Sequence, residues 1–149
     1  MNRRGLTGGL ALGAAVLATK SAPAQTSRPH RILVHVGGGD PALMATALHN
    51  IENAAAFYTG RGEPVAIELV ANGQGFTMLR ADTSPVKPLI AAVHGRFPFV
   101  VFSACQASRA GYAAAAGHDI PQVPEATDVP FGIVRLNELQ EEGWSYIRA

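Results

Sequence analysis

Short apolar runs rich in β-forming residues alternate along this chain with segments of helical periodicity. The first run, residues 31–36, is followed by a segment, 42–58, whose apolar residues recur every three to four positions, and a second run covers 65–71. Each connecting segment is long enough for a right-handed crossover between parallel strands. This alternation predicts an α/β fold with a mainly parallel five-stranded sheet and helices on both faces.

The remaining elements continue this pattern. Asp40 is suited to cap the first helix and Pro41 to occupy its first turn, while Gly60 and Gly62 end it. The run 97–103 is almost wholly apolar, which predicts a central strand buried on both faces. Later strands are predicted at 131–136 and 145–147, helices at 86–96 and 106–116, short helical stretches at 76–80 and 137–142, and a loop with three prolines at 118–130.

The first 24 residues have the three parts of a signal peptide. Arg3 and Arg4 form a charged start, the middle is mostly glycine, alanine, leucine and valine, and a small-residue cleavage site ends at Ala24. The apolar run is shorter than the roughly 20 residues that span a bilayer. The adjacent arginines, together with Lys20, favour the twin-arginine type, which exports folded proteins to the bacterial periplasm. We therefore expect a periplasmic domain over 25–149, with the signal removed near Ala24 and no membrane association afterwards.

The charge balance argues against a nucleic-acid or membrane-surface partner. Removing residues 1–24 leaves 9 basic and 11 acidic residues, a formal net charge of −2. Nothing in the remaining sequence forms a basic face for nucleic acid or an anionic membrane. At 149 residues the chain has room for one domain with a sizeable core.

Cys105 is the only cysteine of the chain, so no internal disulfide can form. It directly follows the predicted third strand and precedes the third helix, where free backbone N–H groups favour a thiolate. Arg109, about one turn further on, could add positive charge, and Ser103 and Gln106 flank the thiol. A thiolate attacks disulfides or carries a persulfide sulfur. The alternatives are that Cys105 is a small buried hydrophobe or that it pairs with a second chain.

Two glycine-containing loops follow the first and second strands, at the edge of the sheet where ligands gather in parallel α/β folds. Residues 37–39 are three glycines, which predict a tight turn with positive φ and do not match the spacing of dinucleotide-binding or Walker motifs. Asn72, Gly73 and Gly75 belong to the second loop, which we expect to form the wall of a pocket beside Cys105.

Neither metal nor serine chemistry has support in the sequence. Five histidines are scattered, and His49 and Glu52, which share a helix face, lack a third ligand. His35, inside the first strand, is interpreted as a hydrogen-bonded core residue. No Gly-x-Ser-x-Gly elbow surrounds Ser103 or Ser108. We therefore predict no metal and no cofactor.

Four parts of the chain resemble the DsrE/DsrF-like family. They are the first strand with Asp40 and Pro41 after it, the run 68–75 with Leu79 after it, the strand leading to Cys105, and the ending 134–147. Together they extend through nearly the whole of 25–149. The resemblance implies a parallel five-stranded α/β fold and homo-oligomers such as dimers, trimers or hexamers. It also implies, for some members, a persulfide on the cysteine that matches Cys105.

The leading hypothesis is a periplasmic protein that accepts or stores sulfane sulfur on Cys105 and hands it to the thiol of a partner protein, without metal or nucleotide. The family members that relay sulfur work in the cytoplasm with dedicated partners, whereas this chain carries an export signal. The alternative is a non-enzymatic module that binds a small ligand or assembles with a partner, and in which Cys105 is structural. A third hypothesis is an oxidised dimer through Cys105.

Overall fold

Five parallel strands form one sheet in residues 28–149, the part of the chain that this computed structural model describes. The strands are β1 (His30–Val36), β2 (Val65–Ala71), β3 (Val100–Cys105), β4 (Ala126–Val129) and β5 (Ser145–Arg148). Their order in the sheet is β4-β3-β2-β1-β5, and all four pairings are parallel. The predicted α/β fold with a parallel five-stranded sheet is confirmed. The predicted signal peptide, 1–24, lies outside the described residues.

Four helices and one 3-10 helix connect these strands. They are α1 (Pro41–Gly60), the 3-10 helix (Gly73–Leu79), α2 (Lys87–Arg96), α3 (Gln106–Ala116) and α4 (Gly132–Glu141). The chain moves one strand further in the same direction from β1 to β4, and then returns across the sheet to place β5 beside β1. Because such crossovers are right-handed, the returning helix, α4, lies on the opposite face from the other helices.

The two faces of the sheet bury separate cores. Alternate residues of each strand point to opposite faces, so Val34 and Leu69 join the large core under α1 and α2, whereas Leu33 and Val70 point toward α4. The core beneath α4 is small, with Leu136 and Leu139 as its contributions from the helix. Helices therefore cover both faces, as predicted, but α4 alone covers one of them.

The prediction of a strand at 131–136 is wrong. This run forms the first half of α4, and the helical turn predicted at 137–142 is its second half. The buried residues of α4 recur at helical spacing, at Gly132, Leu136 and Leu139, while Ile133 between them is 69% exposed. β4 lies instead within the predicted loop 118–130 as a short edge strand with two exposed polar residues, so it has no apolar run to reveal it.

The third strand is shifted along the chain from its predicted position, 97–103. Phe97 ends α2, where its backbone N–H donates to Val93 at 2.8 Å, and β3 begins only at Val100. Cys105 is consequently the last residue of β3 and also the N-cap residue of α3. The shift places the thiol directly at the strand–helix junction.

The helix starts behave largely as the sequence predicts. The side chain of Asp40 accepts a hydrogen bond from the backbone N–H of Ala42 at 2.8 Å, and Pro41 is the first residue of α1. Pro88 lies in the first turn of α2. The short helical stretch predicted at 76–80 begins earlier, at Gly73. In residues 28–149, no helix is both long enough and apolar enough to cross a membrane.

Candidate functional site

Three loops meet at the carboxyl edge of the sheet, as the sequence predicts. The backbone N–H of Gly75 donates to the carbonyl of Gly37 at 3.2 Å, which ties the second loop to the first. The backbone N–H of Gly73 donates to the hydroxyl of Ser108 at 2.8 Å, which ties the second loop to α3. The junction that carries Cys105 is thus held beside the loops after β1 and β2.

The Cys105 thiol is nearly buried and accepts a hydrogen bond. The residue is 5% exposed, and Sγ accepts from the backbone N–H of Gly132, at the start of α4, at 3.2 Å. Burial by itself raises the pKa of the Cys105 thiol. Hydrogen bonds from the hydroxyl of Ser108 and from the backbone N–H groups of Gly132, Ser108 and Ala107 outweigh burial, so the net effect lowers the pKa below its ordinary value.

Ser108 connects the thiol to the second loop. Its Oγ accepts from Gly73, so the single hydroxyl hydrogen stays available for the sulfur of Cys105. Gly73, whose N–H makes this hydrogen bond, has a φ of +53°, a left-handed conformation that glycine adopts without steric cost. The second loop therefore orients the Ser108 hydroxyl, which donates to the thiol.

Two further loop residues serve packing. A Cβ atom on Gly75 would lie 2.0 Å from the carbonyl oxygen of Val36, so only glycine lets the second loop lie against β1. The Cβ of Asn72 lies beside Gly132, where an added Cβ would approach it to 2.7 Å. Asn72 thus lies against the residue that donates to the Cys105 thiol, and the pocket predicted beside Cys105 stays a prediction.

Three residues predicted to support the thiol engage other partners. The hydroxyl of Ser103 donates to the carboxylate of Glu68 at 2.6 Å. The side-chain amide of Gln106 donates to Ala104, Gln122 and Asp128 at the β4 edge. The guanidinium of Arg109 donates to the carbonyl of Ile120 at 2.7 Å and to the carboxylate of Asp119 at 2.9 Å. Arg109 points toward the loop before β4, so its guanidinium pairs with Asp119 and not with the thiol.

The positive φ predicted for the three glycines at 37–39 is wrong. None of the three is among the described glycines with positive φ, which are Gly62, Gly73, Gly117 and Gly143. Packing explains Gly37 instead, because a Cβ there would approach Nε2 of His35 to 3.2 Å.

An ion pair between a buried carboxylate and a half-buried arginine attaches α4 to the sheet near the thiol. Nε and Nη2 of Arg135 donate to the two carboxylate oxygens of Glu68, both at 2.8 Å, while Ser103 donates to one of them. Glu68 is 3% exposed. The pair raises the pKa of the Arg135 guanidinium above its ordinary value, chiefly through its hydrogen bonds with Glu68. Because Gly132 is on the same helix, this pair helps to hold the Gly132 amide over Cys105.

Apolar side chains surround the start of α4 on the outer surface. Phe131, Ile133 and Val134 are 56%, 69% and 48% exposed, and Val101 of β3 is exposed beside them. A cavity of about 320 Å³ lies between α4 and strands β3 and β4, with the Glu68–Arg135 pair, Val101, Phe131 and Val134 in its lining. We call the four exposed residues Val101, Phe131, Ile133 and Val134 the apolar rim.

Among residues 28–149, no three metal-binding side chains cluster closely enough to hold a metal ion.

Ser108 and Gly132 supply hydrogen bonds to the thiol, and the sequence alone identified neither as part of the site. Ser108 lies three residues after the cap residue of α3, a spacing that brings a side chain back to the helix start and could have indicated it. Gly132 gave no comparable signal, because it lies 27 residues from Cys105 in a run that reads as a strand.

Replacing Gly132 by alanine tests the contact between α4 and the thiol. The added Cβ would lie 2.7 Å from Cβ of Asn72 and 3.3 Å from Cβ of Cys105, so the first turn of α4 must move away. We expect a loss of about 1–3 kcal/mol in the free energy of unfolding, measured with urea. We also expect slower alkylation of the thiol by iodoacetamide at pH 7, since the Gly132 amide leaves the sulfur.

Gly111→Ala is the matched control. Gly111 lies within α3, has open space where its Cβ would be, and should gain helix stability on substitution. The contact between α4 and the thiol is contradicted if Gly132→Ala matches Gly111→Ala in both measurements.

Comparison with known proteins yields a structural relative but no family. No protein-family model matches the chain, and no curated protein matches it significantly. Among solved structures, the chain is similar to MTH1491, a protein of unknown function from Methanobacterium thermoautotrophicum, with a TM-score of 0.67 and 28% sequence identity. The match covers 80% of this chain and 99% of that one. The described fold is thus similar to that of a whole protein whose function is unknown.

Proposed function

We propose that this protein is an exported member of the DsrE/DsrF-like family that carries sulfane sulfur as a persulfide on Cys105 in the periplasm. The observation that carries the proposal is the set of hydrogen-bond donors on the thiol, which lowers the pKa of Cys105 despite its burial. A buried cysteine that serves only as a small hydrophobe needs no such donors, and apolar surroundings alone would keep it protonated.

The proposed step is a thiolate attack on a persulfide donor. The Cys105 thiolate bonds to the outer sulfur of a donor persulfide R–S–SH, the S–S bond of the donor breaks, and the donor leaves as the thiolate R–S⁻. The product is a persulfide on Cys105, and attack on its outer sulfur by an acceptor thiol reverses the step. No net oxidation occurs, so neither metal nor nucleotide is required.

The apolar rim supports the proposal that the sulfur donor and the sulfur acceptor are proteins. It also supports assembly of this chain into a homo-oligomer. Phe131 and Ile133 adjoin Gly132, whose amide donates to the sulfur, so a chain that docks on the rim contacts the neighbours of that donor. Exposed apolar patches of this kind mark protein contacts. We expect the sulfur to pass between thiols at such a contact, because Cys105 is only 5% exposed.

Polysulfide loading, read by intact mass, tests the proposal. The protein is treated with inorganic polysulfide, freed of excess reagent and weighed, and an aliquot purified from its own periplasm is weighed untreated. We expect an added mass of one sulfur atom that dithiothreitol removes and that Cys105→Ser does not acquire. We also expect the rate of alkylation by iodoacetamide to rise at a lower pH than for an unperturbed thiol of pKa about 8.5. A folded protein whose thiol reacts with neither reagent overturns the proposal.

The burial of Cys105 favours a second candidate, a non-enzymatic binding or assembly module with a structural cysteine. Under this proposal Cys105→Ser leaves ligand or partner binding unchanged, whereas the sulfur-carrier proposal requires loss of loading. Non-reducing electrophoresis tests the third possibility, an oxidised dimer. Such a dimer would migrate at twice the mass of one chain without reductant and at the mass of one chain with it.

A further inference from the structure

We propose that His35, held by Tyr146, is a positioning residue for the Cys105 thiol and acts through Asn72. The inference rests on the proposed function in one respect, namely that the thiol reacts as a thiolate. His35 is the next-to-last residue of β1, and its ring forms hydrogen bonds on both sides. One nitrogen lies 2.7 Å from the hydroxyl of Tyr146, and the other lies 2.9 Å from Oδ1 of Asn72.

The two partners favour one tautomer of the neutral His35 ring. Oδ1 of Asn72 can only accept a hydrogen bond, so Nε2 of His35 carries a hydrogen and donates it. In the neutral ring Nδ1 is then an acceptor, and the Tyr146 hydroxyl donates to it. Tyr146 is on β5 and Asn72 follows β2, so the ring links two elements that lie on either side of β1.

Two contacts lead from Asn72 to the donors of the thiol. The first runs along the backbone, because the next residue, Gly73, donates to the hydroxyl of Ser108. The second runs through packing, because Cβ of Asn72 forms the wall against which Gly132 rests. Ser108 and Gly132 both supply hydrogen bonds that lower the pKa of the Cys105 thiol.

The hydrogen bond with His35 restrains Asn72. Asn72 lies just after β2, is only partly buried, and its sole described side-chain hydrogen bond is the one with His35. Holding its amide in place restrains the backbone of residue 72, which sets both the position of its Cβ and the path of the chain to Gly73.

The experiment measures the pH profile of Cys105 alkylation by iodoacetamide in the full chain. The variants are Tyr146→Phe, which removes one hydroxyl from a half-exposed ring, and His35→Leu, which removes both ring hydrogen bonds. His35→Gln keeps an amide that can donate to Asn72. We expect a roughly three- to tenfold slower reaction at pH 7 and a higher midpoint of the profile for His35→Leu. We expect a smaller effect for Tyr146→Phe and partial recovery for His35→Gln.

A second histidine–tyrosine pair in the chain provides a matched control. His30, at the other end of β1, stacks on Tyr58 with ring centroids 4.0 Å apart, remote from the carboxyl edge. His30→Leu and Tyr58→Phe should leave the pH profile unchanged. If the parent reacts and the His35 and Tyr146 variants keep its rate and midpoint, the positioning role is overturned while the sulfur-carrier proposal stands. An unreactive parent overturns the sulfur-carrier proposal instead.

Discussion

Arg135→Met is expected to lower the free energy of unfolding by about 3 kcal/mol, the lower end of the range for breaking a buried ion pair, because Glu68 is buried but Arg135 is 31% exposed. The substitution keeps most of the aliphatic volume and leaves Glu68, at 3% exposure, with Ser103 as its remaining donor. Urea unfolding of the variant and of the parent measures the loss.

The double variant Glu68→Gln/Arg135→Met separates the ion pair from the packing. With both charges gone and the Ser103 hydroxyl still able to bond the amide, we expect most of the stability to return. Arg61→Met is the matched surface control, because Arg61 is well exposed and pairs with Glu63 in solvent, where such pairs contribute little. If Arg135→Met lowers the free energy of unfolding no more than Arg61→Met does, the ion pair does not hold α4 on the sheet.

Gly75→Ala is expected to cost about 3 kcal/mol or more and to reduce the yield of folded protein. The new Cβ would lie 2.0 Å from the carbonyl oxygen of Val36 and 3.1 Å from the backbone nitrogen of Gly37. Both are backbone atoms at the end of a central strand, so no side-chain rotation relieves the contact. The loop must withdraw from β1, which also breaks the hydrogen bond from the Gly75 N–H to the Gly37 carbonyl. Thermal unfolding and soluble yield measure the outcome.

Gly38→Ala provides the comparison within the same group of loops. A Cβ at Gly38 meets no atom within 4 Å and its φ is not positive, so we expect stability within experimental error of the parent. Equal stability of Gly75→Ala and Gly38→Ala would contradict the close approach of the second loop to β1.

The sequence predicts the elements whose pattern is local. The strands β1 and β2 are bounded by turn residues, and the start of α1 is marked by Asp40 and Pro41, so all three lie close to their predicted positions. The parallel arrangement follows from the lengths of the crossovers. The meeting of the Asn72 loop with the Cys105 junction follows in turn, because the carboxyl ends of parallel strands share one edge.

Features that depend on distant contacts were not predictable in this way. The run 131–136 is apolar enough for a strand, and only its packing on Leu33 and Val70 decides that it is helical. The orientation of Arg109 depends on the loop before β4, which offers Asp119 and the carbonyl of Ile120. The Gly132 amide reaches the sulfur only because the last crossover returns across the sheet.

The return crossover links the burial of the thiol to its hydrogen bonding. Sγ of Cys105 is nearly buried, and the amide that donates to it belongs to Gly132, at the start of α4. The core beneath α4 consists of few residues, and the ion pair between Glu68 and Arg135 adds to the attachment of this helix. A partner chain that binds α4 in place would therefore meet the thiol with its amide donor still in position.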